Sequence, residues 1–109
     1  MKLRIQSNTL RFRLDENETK ALVDSGGITE HVSFGPAPEN RFSYRIESSD
    51  AVDRIGVRYE SGCITILLAR SLCIGMSNTD DTGVTENVSV GNGQSLSILI
   101  ERDLPCKHR

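Results

Sequence analysis

Two stretches of the sequence decide the fold: GITEHVSFG at residues 27–35 and GVTENVSVG at residues 83–91. Six of their nine positions are identical, and the others keep apolar opposite apolar and polar opposite polar. Each stretch alternates apolar and polar residues and then ends in glycine, which is typical of a half-buried strand leading into a turn. The chain therefore contains an internal repeat, and a repeat constrains the whole architecture.

The similarity extends beyond these two stretches and keeps the same order. RFSYRIE at residues 41–47 aligns with SLSILIE at residues 95–101, and the segments upstream of both stretches also share their apolar phase. A chance match does not preserve this phase in four successive segments. We therefore predict two copies of one unit, spanning residues 1–50 and 55–104, with residues 105–109 as a C-terminal appendage.

Each copy is predicted to contain four strands and one helix. Alternation with a period of two predicts strands at residues 2–6, 9–14, 28–34 and 41–47 of the first copy and at 54–60, 63–68, 84–90 and 95–101 of the second. Asp15, with Glu18 three residues later, is a capping-box pattern at the start of the first helix. The corresponding segment of the second copy predicts a short helix around Ser71, Leu72 and Met76, which Gly75 weakens.

Apolar residues point to one side of every predicted strand, which leaves one face buried and one face wet. Neither copy has enough residues for a core of its own, so the two copies must share one. The predicted fold is mainly β, in the α+β class, and forms a single domain over residues 1–109. In it a duplicated ββαββ unit with pseudo-two-fold symmetry builds an antiparallel sandwich or partly closed barrel of about eight strands with two short helices.

Composition argues against several classes of function. Charged residues make up 26% of the chain and the net charge is −2, so bulk charge favours neither nucleic acid nor a membrane as a partner. The longest apolar run is far too short to span a bilayer, and the residues after Met1 do not form the apolar segment of a signal peptide. The chain has three cysteines, Cys63, Cys73 and Cys106. Their odd number and irregular spacing favour a cytoplasmic location, although one disulfide plus one free thiol fits the same count.

No motif in the sequence predicts a catalytic or metal-binding site. Cys106 and His108 lack the paired cysteines that structural zinc uses, and a terminal segment does not hold them in the geometry of an activated nucleophile. Asp80 and Asp81 lie in a polar stretch typical of a turn, and His31 falls on the wet side of its strand. We therefore predict no catalytic residue, no metal and no cofactor.

A basic strand face is the strongest candidate for a binding site. Arg4, Arg11 and Arg13 alternate to the wet side of the first predicted hairpin, and Arg45 does so on the fourth strand. Such residues are usually solvated and protect edge strands, but they also bind anions. The aromatic residues that would stack on bases fall on the core side, which argues against nucleic acid.

In the second copy, Leu67 takes the position of Arg13 and Leu99 takes the position of Arg45. One wet face is therefore expected to be basic and its pseudo-symmetric counterpart apolar. Exposed apolar residues on a sheet face favour a covering element or a partner. We predict that Leu67 and Leu99 belong to an interface with a protein partner or a second copy of the chain.

Two functions from different classes fit these observations. The first is a small cytoplasmic binding or protein-interaction module without a recognisable catalytic site, dimeric through Leu67 and Leu99. The alternative is an anion- or phosphate-binding protein, or a small enzyme, because Arg4 and Arg11 are expected to be cross-strand neighbours that a doubly negative ligand bridges. The candidate ligand-binding residues are Arg4, Arg11, Arg13, Arg45, Asp103 and Cys106.

RIQSNTLRFRLDENE at residues 4–18 and LSILIERDLPC at residues 96–106 resemble an uncharacterised family of small bacterial proteins. Its members open with a basic R-I-x-x-N-x-L-R-x-R-L hairpin and close with a hydrophobic strand, L-x-I-L-I-E-K/R-D-x-x-C. The resemblance covers essentially the whole chain and implies no known activity, because the family is a domain of unknown function. The positions that fit its pattern are Arg4, Asn8, Arg11, Arg13, Glu101, Asp103 and Cys106. Family members often carry a Trp in the second helix and an acidic, Pro-containing segment after the cysteine, and this sequence shows neither.

Overall fold

The computed structural model describes residues 1–78 and 83–102, and its elements follow the predicted order in both copies. The strands are β1 (Lys2–Gln6), β2 (Thr9–Leu14), β3 (Gly27–Ser33), β4 (Arg41–Ser49), β5 (Ile55–Glu60), β6 (Cys63–Ala69), β7 (Gly83–Gly91) and β8 (Gln94–Arg102). The helices are α1 (Glu16–Ser25) and α2 (Arg70–Asn78), and one 3-10 turn (Pro38–Asn40) precedes β4. The predicted appendage, residues 105–109, lies outside the described residues.

Helix α1 begins as its capping-box pattern predicts. Asp15 Oδ1 accepts a hydrogen bond from the Glu18 backbone N–H at 2.8 Å, and Glu18 Oε1 accepts one from the Asp15 N–H at 2.9 Å. These bonds satisfy amides that have no partner within the first turn of a helix. The helix ends at Gly26, whose φ of 89° is accessible without strain only to glycine and whose N–H donates to the Leu22 carbonyl.

The eight strands form two four-stranded sheets, and each sheet combines one hairpin from each copy of the repeat. Sheet A has the strand order β1-β2-β8-β7, and sheet B has the order β3-β4-β6-β5. The sheets do not close on each other, so the molecule is a sandwich rather than a barrel. The fold is therefore mainly β, as the sequence predicts.

The expectation of purely antiparallel sheets is wrong at the centre of each sheet. The outer pairs are antiparallel, but β2 pairs with β8, and β4 with β6, in parallel. The reason is that each helix carries the chain from one sheet to the other, so that a hairpin meets the hairpin of the other copy. Equivalent backbone hydrogen bonds form where the parallel strands meet in each sheet. The Ser97 N–H donates to the Asn8 carbonyl at 2.9 Å, and the Ser43 N–H donates to the Gly62 carbonyl at 2.8 Å.

The core lies between the two sheets and contains residues of both copies of the repeat. Phe12 and Ile46 of the first copy and Ile66 and Ile100 of the second are all 0% exposed. Burying each such side chain stabilises the fold by about 1.5–3 kcal/mol. The Phe12 and Tyr44 rings, one from each sheet, lie 6.4 Å apart between their centroids. The prediction that the two copies share one core is confirmed.

Ion pairs join the two sheets at both open edges of the sandwich. At one edge the Met1 ammonium contacts Glu18 and Glu30. At the other edge Arg54 Nε donates to Glu86 Oε1 at 2.8 Å, and Glu86 holds the repeat position of Glu30. The two helices contact each other and cover one end of the sandwich. The four hairpin turns lie at the opposite end, which is named the turn end below.

Candidate anion-binding site

Four cationic side chains lie side by side on the outer face of the hairpin formed by β1 and β2. The strand register places Lys2 opposite Arg13 and Arg4 opposite Arg11. Like charges directly opposite each other on a sheet destabilise the pairing by roughly 0.2–1 kcal/mol. Two such pairs in one hairpin therefore mark a surface where positive charge is concentrated. These four residues are named the cationic quartet.

Glu101 of β8 approaches the cationic quartet from the neighbouring strand. Its Oε2 accepts hydrogen bonds from Arg11 Nε at 2.6 Å and from Arg13 Nε at 2.9 Å. The hydrogen bond from Arg11, followed by that from Arg13, holds the pKa of the Glu101 carboxyl below its ordinary range. Glu101 is therefore ionised at neutral pH and orients two of the four cations.

Arg4 is the member of the quartet whose guanidinium is open to a ligand. Within residues 1–78 and 83–102 it makes no hydrogen bond or ion pair, and its side chain is exposed. It borders a cavity of about 200 Å³ whose lining is formed by Lys2, Leu3, Arg4, Arg11 and Arg13. A guanidinium donates two parallel hydrogen bonds to a carboxylate or phosphate, so this cavity offers the donors that such an anion requires.

Leu99 lies beside the quartet and not on a separate apolar face. It is half-buried on β8, between Arg11 of β2 and Thr85 of β7 in the strand register. The expectation that one outer face is basic and the other apolar is therefore wrong. The physical reason is the exchange of hairpins between the copies, which brings basic positions of the first copy against apolar positions of the second.

Arg45 and Leu67 lie in sheet B, away from the quartet. Arg45 Nε donates to Glu47 at 3.0 Å and its Nη1 donates to the Thr29 hydroxyl at 2.8 Å. Its guanidinium crosses Gly27 so closely that a Cβ at that position would come within 2.1 Å of Nη2. Of the predicted ligand-binding arginines, the structure thus brings together Arg4, Arg11 and Arg13, and it separates Arg45 from them.

The two predicted interface leucines do not share a surface. Leu99 lies on the outer face of sheet A, whereas Leu67 lies on sheet B between Glu47 and Gly56. A single flat partner therefore cannot cover both residues, and each remains a separate prediction. The other two predicted site residues, Asp103 and Cys106, lie outside the described residues.

A polar row on sheet B was not predicted from the sequence as a cluster. His31 Nδ1 lies 2.8 Å from the Ser43 hydroxyl, and Ser43 is paired in register with Cys63. The signal that could have revealed it is the antiparallel register of β3 and β4, which places His31 opposite Ser43. Among residues 1–78 and 83–102, no three His, Cys, Asp or Glu side chains converge as metal ligands.

Two further places in the described chain, a second depression and the buried thiol of Cys73, offer no open reactive or ligand-binding group. In a second depression, of about 430 Å³, Arg70 donates two hydrogen bonds of 2.8 Å to the Asp50 carboxylate, which holds the pKa of that carboxyl low. Cys73 is buried, and burial raises the pKa of its thiol. Neither α1 nor α2, the helices found in the described ranges, has the length and apolar character to cross a membrane.

Comparison with known proteins places the chain in a family without supplying a function. No curated protein and no solved structure matches the sequence. One family model does match, and it covers residues 1–109, the whole chain. The chain therefore belongs to the family described as a family of unknown function, DUF7009.

Proposed function

We propose that the protein binds a small, multiply charged anion at the cationic quartet. The observation that carries the proposal is the arrangement of two like-charge pairs around one cavity, in which Arg4 has no partner among the described residues. A bound anion would offset the repulsion between Arg4 and Arg11, because each guanidinium would gain a charge-assisted hydrogen bond. A ligand with two or more negative charges, such as a phosphate ester or a pyrophosphate, matches these donors best.

A small ligand fits this surface better than a nucleic acid does. Phe12, Phe42 and Tyr44 belong to the core side of the sheets. The cavity beside the quartet is lined by Lys2, Leu3, Arg4, Arg11 and Arg13 and so offers a base no ring to stack on. The net charge of −2 gives no general attraction to a polyanion. Local cations on an otherwise acidic chain instead favour a ligand that is no larger than the quartet.

The lowered pKa of the Glu101 carboxyl and its hydrogen bonds from two arginines favour a binding role over a catalytic one. A general base needs a pKa near the working pH and a free lone pair at the reacting atom. Hydrogen bonds from two arginines keep the pKa of Glu101 low and occupy its Oε2. In this proposal Glu101 therefore positions the arginines and does not transfer protons. The free thiols of Cys63 and Cys73 support a reducing, cytoplasmic setting for this binding role.

Titration calorimetry with pyrophosphate and tripolyphosphate at low ionic strength tests the proposal. Arg4→Gln removes the open guanidinium, whose hydrogen bonds to an anion contribute about 1.5–3 kcal/mol, so affinity should fall tenfold or more. Arg58→Gln is the matched control, since Arg58 holds the equivalent position in sheet B opposite Thr65 instead of a second arginine. The proposal fails if neither anion binds, or if both variants weaken binding equally.

A further inference from the structure

Four large apolar side chains are exposed although they follow the core-facing phase of their strands. Ile5 is 55% exposed, Phe34 76%, Tyr59 66% and Val90 46%. They are equivalent in pairs under the repeat, Ile5 with Tyr59 and Phe34 with Val90. The same exposure in both copies shows that the feature belongs to the architecture and not to one irregular loop.

All four side chains lie at the turn end of the sandwich. Ile5 and Tyr59 are near the last residues of β1 and β5, and Phe34 and Val90 lie where β3 and β7 reach their turns. At the opposite end α1 and α2 close the core, but no helix of the described chain covers the turn end. Further apolar residues continue the surface inward: Val32, which is 39% exposed, and the half-buried residues Phe42, Val88 and Leu96.

The turn end is poor in charge. Glu39 is the one charged residue in its four turns, which are formed by residues 7–8, 34–40, 61–62 and 92–93. Arg41 and Glu60, of opposite sign, stand at strand ends beside it. An apolar centre with few charges and a polar rim is the composition of homodimer interfaces, which are more apolar than those of transient complexes.

The exposed apolar area is also the size that a stable dimer needs. If a fully exposed large side chain offers about 150–250 Å², the exposed parts of Ile5, Val32, Phe34, Tyr59 and Val90 amount to roughly 420–700 Å². A standard interface takes about 800 Å² from each partner, and roughly 65% of a homodimer interface is apolar, which is about 520 Å². The apolar area that a homodimer needs therefore falls within the range that the turn end exposes.

We infer that the turn end is the interface of a two-fold homodimer. Because the equivalent helices α1 and α2 contact each other, the pseudo-two-fold axis passes between them and leaves the molecule through the turn end. The turn end is therefore two similar halves, one with Ile5 and Phe34 and one with Tyr59 and Val90. In a two-fold dimer each half packs against a half of the second copy. Two-fold dimers are the commonest soluble oligomers, and in them the same surface of both copies forms the interface, so a second copy of this chain is a sufficient partner.

Sedimentation equilibrium of the full chain from nanomolar to high micromolar concentration tests this inference. The unmodified chain should be a dimer at the upper end, and the double variant Phe34→Ser and Tyr59→Ser should be a monomer throughout. Val23→Ser combined with Ile74→Ser is the matched control, because these exposed residues, 37% and 41% exposed, lie on the helices at the other end. A monomeric unmodified chain, or a double variant that still dimerises, overturns the inference.

Two further measurements keep the inference testable if a variant folds poorly or another face dimerises. Amide hydrogen exchange of the unmodified chain should slow with concentration at residues 34–40 and 92–93. Unchanged exchange there in a dimeric sample contradicts the turn end as the interface. Leu67→Lys and Leu99→Lys each place a charge on the outer face of one sheet. If either variant is monomeric while the double variant Phe34→Ser and Tyr59→Ser is still a dimer, the interface lies on that outer face and not at the turn end.

Discussion

Replacing Glu101 with glutamine removes the carboxylate that Arg11 and Arg13 share and leaves the size of the side chain unchanged. A hydrogen bond to a charged group contributes about 1.5–3 kcal/mol when it is well shielded. Glu101 is 21% exposed, but Arg11 and Arg13 are 34% and 45% exposed, so solvent weakens both bonds. We expect Glu101→Gln to lower the free energy of unfolding by about 1–2 kcal/mol after this screening.

Thermal unfolding followed by circular dichroism measures this loss. At about 4–8 °C per kcal/mol for a domain of this size, Tm should fall by roughly 5–10 °C. Glu47→Gln is the control, because Glu47 holds the same repeat position but receives one arginine hydrogen bond, from Arg45 at 3.0 Å. The control should lose about half as much. Added salt should narrow the deficit of Glu101→Gln, since it screens the exposed repulsion among the quartet.

The pH dependence of this deficit follows from the depressed pKa of Glu101. Because the folded pKa is lower than the unfolded one, the stabilisation is complete above the ordinary glutamate value of about 4.3 and is lost as the pH falls through the folded pKa. The gap in Tm between the unmodified chain and Glu101→Gln should therefore be full at pH 7 and shrink in acid. Equal Tm values for Glu101→Gln and the unmodified chain at pH 7 would show that the hydrogen bonds from Arg11 and Arg13 to Glu101 do not stabilise the fold.

Three other outcomes follow from the described contacts. Arg4→Thr should raise the free energy of unfolding of the unliganded chain by a few tenths of a kcal/mol, because it removes one like-charge pair, and it should reduce the stabilisation that pyrophosphate gives. A variant that is less stable than the unmodified chain in a urea titration contradicts this. Iodoacetamide labelling with peptide mapping should modify half-buried Cys63 well before Cys73, whose thiol is buried with a raised pKa, and equal rates would contradict this order. Gly27→Ala should displace the Arg45 guanidinium and cost about 1 kcal/mol or less, since only the end of a flexible side chain must move, and a loss of several kcal/mol would show that the backbone moves instead.

The elements of the fold were predictable because their signals are local. Alternation within each strand and the capping box at Asp15 depend on residues a few positions apart, and the structure confirms both. Helix α2 also forms, although Gly75 lies within it, because its buried residues Cys73 and Met76 pack on the core. Tertiary packing thus outweighs a weak local propensity.

The pairing of hairpins was not predictable from one sequence. An apolar face on every strand is buried equally well whether a sheet is built within one copy or from both copies. Which of the two arrangements forms depends on whether the helix after β2 or β6 leads the chain into the same sheet or into the other one. The alternation of apolar and polar residues along the strands does not specify this. The parallel pairs β2 with β8 and β4 with β6 are a consequence of that choice.

The candidate site was predicted in part for the same reason. Arg4, Arg11 and Arg13 belong to one hairpin, so strand alternation and a short turn were enough to place them together. Glu101 joins them through the parallel register of β2 and β8, which no local signal specifies. Arg45 was assigned to the site by its charge and its phase alone, and it lies in the other sheet.

Chemical-shift mapping of the backbone amides during a pyrophosphate titration is the most direct test of the anion site, because it locates the ligand without any substitution. We predict that the largest shifts occur at residues 2–4, 11–13 and 99–101, around the cationic quartet and Glu101. Equally large shifts at the equivalent residues of sheet B, 45–47, 56–58 and 65–67, or no shifts at all, would contradict the proposed anion site.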